Sequence, residues 1–169
     1  MTPANDSASG RPHRGTRADV RTARLLVAGQ FVLLALIVLL PRRADWPVPR
    51  ALVVVGVLGA VAGLAVMVIA ATSLGRGLTA VPLPNTHAQL RTGGLYRFVR
   101  HPIYSGLILT MAGVTLASGS VVRLLVLGLL VLLLTVKARW EEARLSERFE
   151  GYAAYAAHTA RFLPFRARP

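Results

Sequence analysis

The chain contains no cysteine, which removes thiolate nucleophiles, disulfides, thiolate metal sites and iron–sulfur clusters from consideration and leaves the redox compartment open. Charge is also scarce: 16% of the 169 residues are charged, whereas 54% are hydrophobic and the mean hydropathy is +0.53. A soluble domain of this size has too little interior to hide that much apolar surface, so the composition indicates a membrane protein. Acidic side chains are the rarest charged group, with 7 Asp and Glu against 20 Lys and Arg and a formal charge of +13. This surplus does not describe a nucleic-acid binder, because the basic residues lie between long apolar runs instead of on one soluble face.

What is present is a series of apolar runs. Residues Met1 to about Arg21 are rich in Ser, Pro, Gly and Arg without apolar periodicity, and read as a disordered basic arm. The first run, Leu25 to Leu40, is followed by Pro41, Arg42 and Arg43 with no small-residue cleavage site, so it reads as a retained span instead of a signal peptide. The second, Ala51 to Leu74, has 24 residues, enough at about 1.5 Å per residue to cross about 30 Å of hydrocarbon. Its Gly56, Gly59 and Gly63 include a small-xxx-small pair that lets a neighbouring helix approach closely, within one subunit or between two. Ile103 to Ala117 and Val121 to Val136 are short for spans and are separated by Ser118, Gly119 and Ser120, a turn that suits a helical hairpin, membrane-crossing or re-entrant.

The expectation is therefore an all-α, multi-spanning bundle of about four transmembrane helices, with the arm (1–21), two N-terminal spans (22–74) and a core (75–169) as its parts. Of the 20 Lys and Arg, all but Arg42, Arg43, Arg50 and Arg123 lie in the N-terminal segment up to Arg24, the loop from Gly75 to Pro102, and the tail from Lys137. Positive residues mark the cytoplasmic face, which puts both termini and the central loop there. After Trp140 an apolar stripe at Leu145, Phe149, Tyr152 and Ala156 has helical spacing and predicts an amphipathic helix at the membrane surface, ending near Pro164.

Chemistry-bearing residues fall in two clusters. The central loop holds His87-Ala88-Gln89-Leu90, Gly93-Gly94-Leu95-Tyr96 and Arg100-His101-Pro102-Ile103-Tyr104-Ser105-Gly106. Pro102 keeps His101 extended and suits the first turn of a helix, so the third span should begin there. An imidazole at a helix N-terminus, among free N–H groups, favours an anionic partner such as the carboxylate of an amino-acid-like cofactor. The plainer alternatives are a capping His101, an Arg100 on lipid phosphate, and interfacial Tyr96 and Tyr104. The second cluster, Lys137, Arg139, Trp140, Glu141 and Glu142, follows the fourth run. Neighbouring glutamates diverge by about 100° on a helix, so one can enter a pocket while the other faces solvent or a cation. Lys137 and Glu141 share a face, which a surface ion pair would also explain. His13 and His158 lack metal-ligand spacing, and no metal site is expected.

Taken in order, His-x-x-Leu, Gly-x-Tyr, Arg-His-Pro-x-Tyr-x-Gly, the apolar hairpin, Glu-Glu-x-x-Leu, a Phe-and-Tyr segment and Arg-Phe-Leu-Pro-Phe resemble the isoprenylcysteine carboxyl methyltransferase family, from His87 to Phe165. The resemblance implies an S-adenosylmethionine pocket at the cytoplasmic face. The cofactor would be contacted by the positions matching His87, Gln89, Leu90, Tyr96, His101, Tyr104 and Glu141. A basic residue four positions before that glutamate would orient the substrate carboxylate. Here it is Lys137 where the family has Arg, and lysine cannot make the planar two-bonded contact of a guanidinium. The resemblance then implies that Arg139 or Arg161 takes that role, or that the substrate is not the usual prenylated cysteine.

The expected reaction is attack of a substrate atom on the sulfonium methyl group, aided mainly by alignment. A carboxylate acceptor needs no proton removed, whereas an amine does, so the absence of an obvious general base favours methyl-ester formation on a carboxylate, as the resemblance implies. The sulfonium could rest against Tyr96 or Tyr104. The expected partners are membrane lipid and a lipid-like or prenylated substrate entering between helices. The rival readings are a lipid amine N-methyltransferase, a nicotinamide-dependent sterol-type reductase and a non-catalytic membrane subunit.

Overall fold

The computed structural model describes residues 17–41, 44–74 and 90–164. In chain order they form α1 (Arg17–Leu39), α2 (Arg50–Leu74), a 3₁₀ turn (Gly94–Arg97), α3 (Pro102–Ser118), α4 (Val121–Arg148) and α5 (Tyr152–His158). The protein is all-helical over these residues. Helix α1 starts inside the segment read as a basic arm, with Asp19 in its first turn, where an acid complements the positive end of a helix. The rest of the arm, the loop from 75 to 89 with His87 and Gln89, and Phe165 lie outside the described residues.

Helices α1, α2 and α4, of 23, 25 and 28 residues, are long and apolar enough to cross a membrane, while α3 has 17. Their outward faces are hydrocarbon: Phe31, Val55, Leu58, Val61, Leu125 and Leu132 are all more than half exposed. Water would not tolerate such a surface over the length of a helix, but lipid matches it. The buried interior is thin and is built from Ile37, Leu107, Val126, Leu130 and Leu134.

Packing between α2 and α3 rests on backbone proximity. A Cβ added at Gly63 would stand 2.5 Å from the Gly106 carbonyl oxygen, and one at Gly56 would stand 2.6 Å from that of Gly113. The two helices thus touch backbone to backbone in antiparallel register, which only hydrogen in place of a side chain permits. The glycine pair that does this is Gly56 and Gly63, seven residues apart, within one chain. Gly59, part of the expected small-xxx-small pair, would bring its Cβ only to 3.9 Å from the Leu109 side chain.

At one end of the bundle α3 turns into α4 through Gly119, whose φ of +63° suits glycine. Asp45 closes the turn: its backbone N–H donates to the Gly119 carbonyl at 2.8 Å, and its carboxylate accepts from the Val121 N–H at 2.7 Å. The Arg123 guanidinium donates to the Leu40 carbonyl at 2.6 Å, satisfying the end of α1. The opposite end gathers the start of α1, the end of α2, the start of α3 and the polar end of α4.

The C-terminal region departs from expectation. Among the described residues the expected amphipathic helix is not one separate element, because α4 continues unbroken to Arg148 and only the short α5 stands apart. Ala138, Arg139, Glu141, Glu142, Ala143 and Arg144 are good helix formers, and nothing between Val136 and Arg148 breaks the helix. Phe149 is extended, Gly151 follows, and the short α5 starts at Tyr152. The apolar stripe from Leu145 to Ala156 is therefore split between two helices.

Candidate active site

Pro102 occupies the first turn of α3, and His101 sits at the N-cap position without capping the helix through its side chain. The imidazole is free to point elsewhere. It stacks parallel on the Tyr104 ring, one turn along, with centroids 5.2 Å apart. Its Nε2 lies 3.0 Å from Glu142 Oε1, as donor to that carboxylate. Its Nδ1 lies 3.8 Å from Glu141 Oε2. The Tyr104 hydroxyl donates to the same Glu141 oxygen at 3.0 Å. The imidazole at the head of α3 and the acids on the extension of α4 thus face one another.

Both glutamates enter this cluster, where the sequence argument required only one. Glu142 is saturated by cations. Arg161 donates to it through Nε at 2.9 Å and through Nη2 at 2.8 Å, and Arg100 Nε stands 3.3 Å from Oε1. These hydrogen bonds to Glu142 hold the Arg161 guanidinium above its ordinary pKa. Glu141 differs, with 26% of its side chain exposed against 12% for Glu142. It is the acid with capacity left for a ligand.

Two segments are tied together behind this pair. Val99 bridges Ala160 in parallel, Arg100 N donates to the Ala160 carbonyl at 2.8 Å, and His101 N donates to that of Arg161 at 3.1 Å. Ser105 Oγ donates to the Phe162 carbonyl at 2.7 Å, and the Phe162 ring meets both His101 and Tyr104 edge-on. The Arg-Phe of the C-terminal motif is therefore the strap that sets His101 and Glu142 in place. Sequence reasoning missed Glu142 as the hub of the site. Its signal was an acid flanked by Arg100 and Arg161 in the two motifs that meet it.

The other expected residues fall out unevenly. Tyr96 is buried, its hydroxyl donating to the Ala70 carbonyl of α2 at 3.4 Å. Burial, with Glu141 and Tyr155 nearby, pushes its phenol upward. Tyr155 donates to the Tyr96 carbonyl at 2.5 Å, and burial raises the Tyr155 phenol to about 12. Leu90 is half-buried beside the start of α5. Lys137 is 3% exposed, and in place of the surface ion pair with Glu141 that its spacing allows, it donates to Gln30 Oε1 of α1 at 2.7 Å. Its ammonium lies 5.1 Å from the Tyr104 ring centroid, taking the cation position on that ring. Arg161 joins the cluster, whereas Arg139 is exposed and, two residues from both Lys137 and Glu141, points about 200° away from them.

This arrangement can hold a polar, partly anionic small molecule between α3, α4 and the strap, at the polar end of an apolar bundle. S-adenosylmethionine fits what is present: Glu141 has acceptor capacity, and two buried polar atoms nearby, Arg100 Nε and the Tyr152 hydroxyl, have no hydrogen-bond partner among the described residues. A profile of phospholipid methyltransferases matches residues 51–151, running from the first turn of α2 to just before α5. No curated protein and no solved structure shows significant similarity to the chain. The match takes in α3, α4 and both glutamates, and it does not single out the isoprenylcysteine type. On this match over more than half its length, the chain belongs to the phospholipid methyltransferase family of membrane methyltransferases.

Proposed function

We propose that the protein transfers a methyl group from S-adenosylmethionine to the amine of a phospholipid headgroup, at the polar end of a four-span bundle. One observation carries the choice of acceptor: the two basic side chains of the cluster that the motif set offers to a substrate carboxylate are already committed. Arg161 donates to Glu142 through two nitrogens, and Lys137 donates to Gln30. A carboxylate acceptor needs a cation to hold it, whereas an ammonium headgroup needs an acid, and Glu141 is the group with room. The family match supports the same class of acceptor and favours methyl transfer over nicotinamide-dependent reduction.

When bound, S-adenosylmethionine supplies an electrophilic methyl group on a sulfonium. Glu141 would accept the headgroup N–H and take its proton, since an ammonium has no lone pair with which to attack. Tyr104, donating to Glu141, fixes the direction in which that carboxylate points. Its ring stack with His101 keeps the pair in one geometry, as in-line displacement requires. The Phe162 strap and the apolar flanks keep bulk water from the reacting atoms.

Carboxyl methylation remains the second reading, favoured by the motif set from His87 to Phe165 and by Lys137, which lies against Tyr104 and could turn from Gln30 to a substrate carboxylate. A single assay separates the two. Purified protein is incubated with methyl-labelled S-adenosylmethionine and either vesicles containing an aminophospholipid or a prenylated cysteine analogue. Base-stable label in the aminophospholipid is expected, with Glu141→Gln slowing it by about 100-fold. Base-labile label confined to the prenylated analogue would overturn the amine reading. Label in neither would point to a non-catalytic subunit.

A further inference from the structure

Tyr152 is 3% exposed, yet its hydroxyl has no hydrogen-bond partner among the described residues. A buried unpartnered hydroxyl costs free energy, and a fold retains one where something absent from the bare chain completes it. A second orphan lies in the same region. Arg100 Nε is within ion-pair distance of Glu142 but lacks hydrogen-bond alignment. Arg100 also donates through Nη1 to the carbonyl of Ala156 at 3.1 Å, one turn beyond Tyr152 on α5, and its charge acts on the Tyr152 phenol. The phenol stays protonated: burial, then Glu142, push it up, with Arg100 pulling the other way.

Two donors without a hydrogen-bond partner among the described residues call for an oxygen acceptor, and the guanidinium, which also faces Glu142, favours one that carries negative charge. We propose that the Tyr152 hydroxyl and Arg100 Nε bind the carboxylate at the amino-acid end of the methyl donor, which makes α5 a wall of the donor pocket. This rests on the methyl-donor reading of the site. It accounts for why α5 is held so firmly, with Tyr155 on the Tyr96 carbonyl and Arg100 on Ala156.

The test uses the full chain in detergent and two nucleosides: S-adenosylhomocysteine, which carries the carboxylate, and 5′-methylthioadenosine, which lacks the whole amino-acid part. Tyr152→Phe is expected to weaken S-adenosylhomocysteine by about 10-fold while leaving 5′-methylthioadenosine unchanged. The unliganded variant should melt no lower than the wild type, because the lost hydroxyl bonds nothing in the bare fold. Unchanged affinity for S-adenosylhomocysteine would overturn the inference and leave the hydroxyl to a structural water. Equal weakening of both nucleosides would also overturn it, by moving the contact off the carboxylate. A wild type that binds neither nucleoside removes the donor reading itself, a failure distinct from either of the others.

Discussion

Glu141 and Glu142 are adjacent and chemically identical, and the fold gives them different work. Glu142 holds Arg161, Arg100 and His101 together at 12% exposure, so removing it strands mutually repelling donors in a confined space. Glu142→Ala should therefore destabilise the protein by about 3 kcal/mol, as for other broken buried ion pairs, read as a fall in melting temperature in detergent. Glu141→Ala should cost less than about 1 kcal/mol, since that side chain is one-quarter exposed and, among the described residues, keeps only the Tyr104 hydrogen bond. Equal losses in the two variants would contradict the division of labour. From sequence alone the pair is readable as unusual, but not which acid does which task, because that depends on Arg161 arriving from a strap nineteen residues later. Lys137 shows the same limit. Its spacing from Glu141 predicts an ion pair, and only the tertiary neighbour Gln30 on α1 draws it away.

At the scale of elements, local signals were read well and continuation was read poorly. Pro102 marks the start of α3, and Ser118-Gly119-Ser120 marks the turn to α4, because proline and glycine act on their own backbone. The end of α4 was not legible as such. A fall in hydropathy after Val136 marks where the apolar surface ends, not where the helix does, and the good helix formers beyond it carry α4 to Arg148. The glycines of α2 show why a motif needs its partner helix. All three are visible in sequence, but only Gly56 and Gly63 meet the backbone of α3. Gly63→Val should push α2 and α3 apart and cost about 3 kcal/mol or more, whereas Gly59→Ala should leave the melting temperature within a degree or two. A tolerated Gly63→Val would show that the close approach does not hold the helices together.

For the whole molecule, thin packing and strong polarity of ends go together. The bundle has a narrow buried interior and broad outward apolar faces, and it concentrates its ionisable groups at the end where α3 begins and α4 emerges. Arg144 pairs with Asp19 there as well, tying the start of α1 to the same end. A site so placed lies at the depth of lipid headgroups if the apolar lengths sit in hydrocarbon, which is where a soluble methyl donor and a phospholipid amine can meet.

That meeting requires the donor to bind between the head of α3 and the extension of α4. Calorimetric titration of S-adenosylhomocysteine into the purified wild type, His101→Ala and Glu141→Ala tests it most directly. The account predicts saturable binding to the wild type and a loss of at least about 10-fold in each variant. Wild-type affinity in both variants would contradict it.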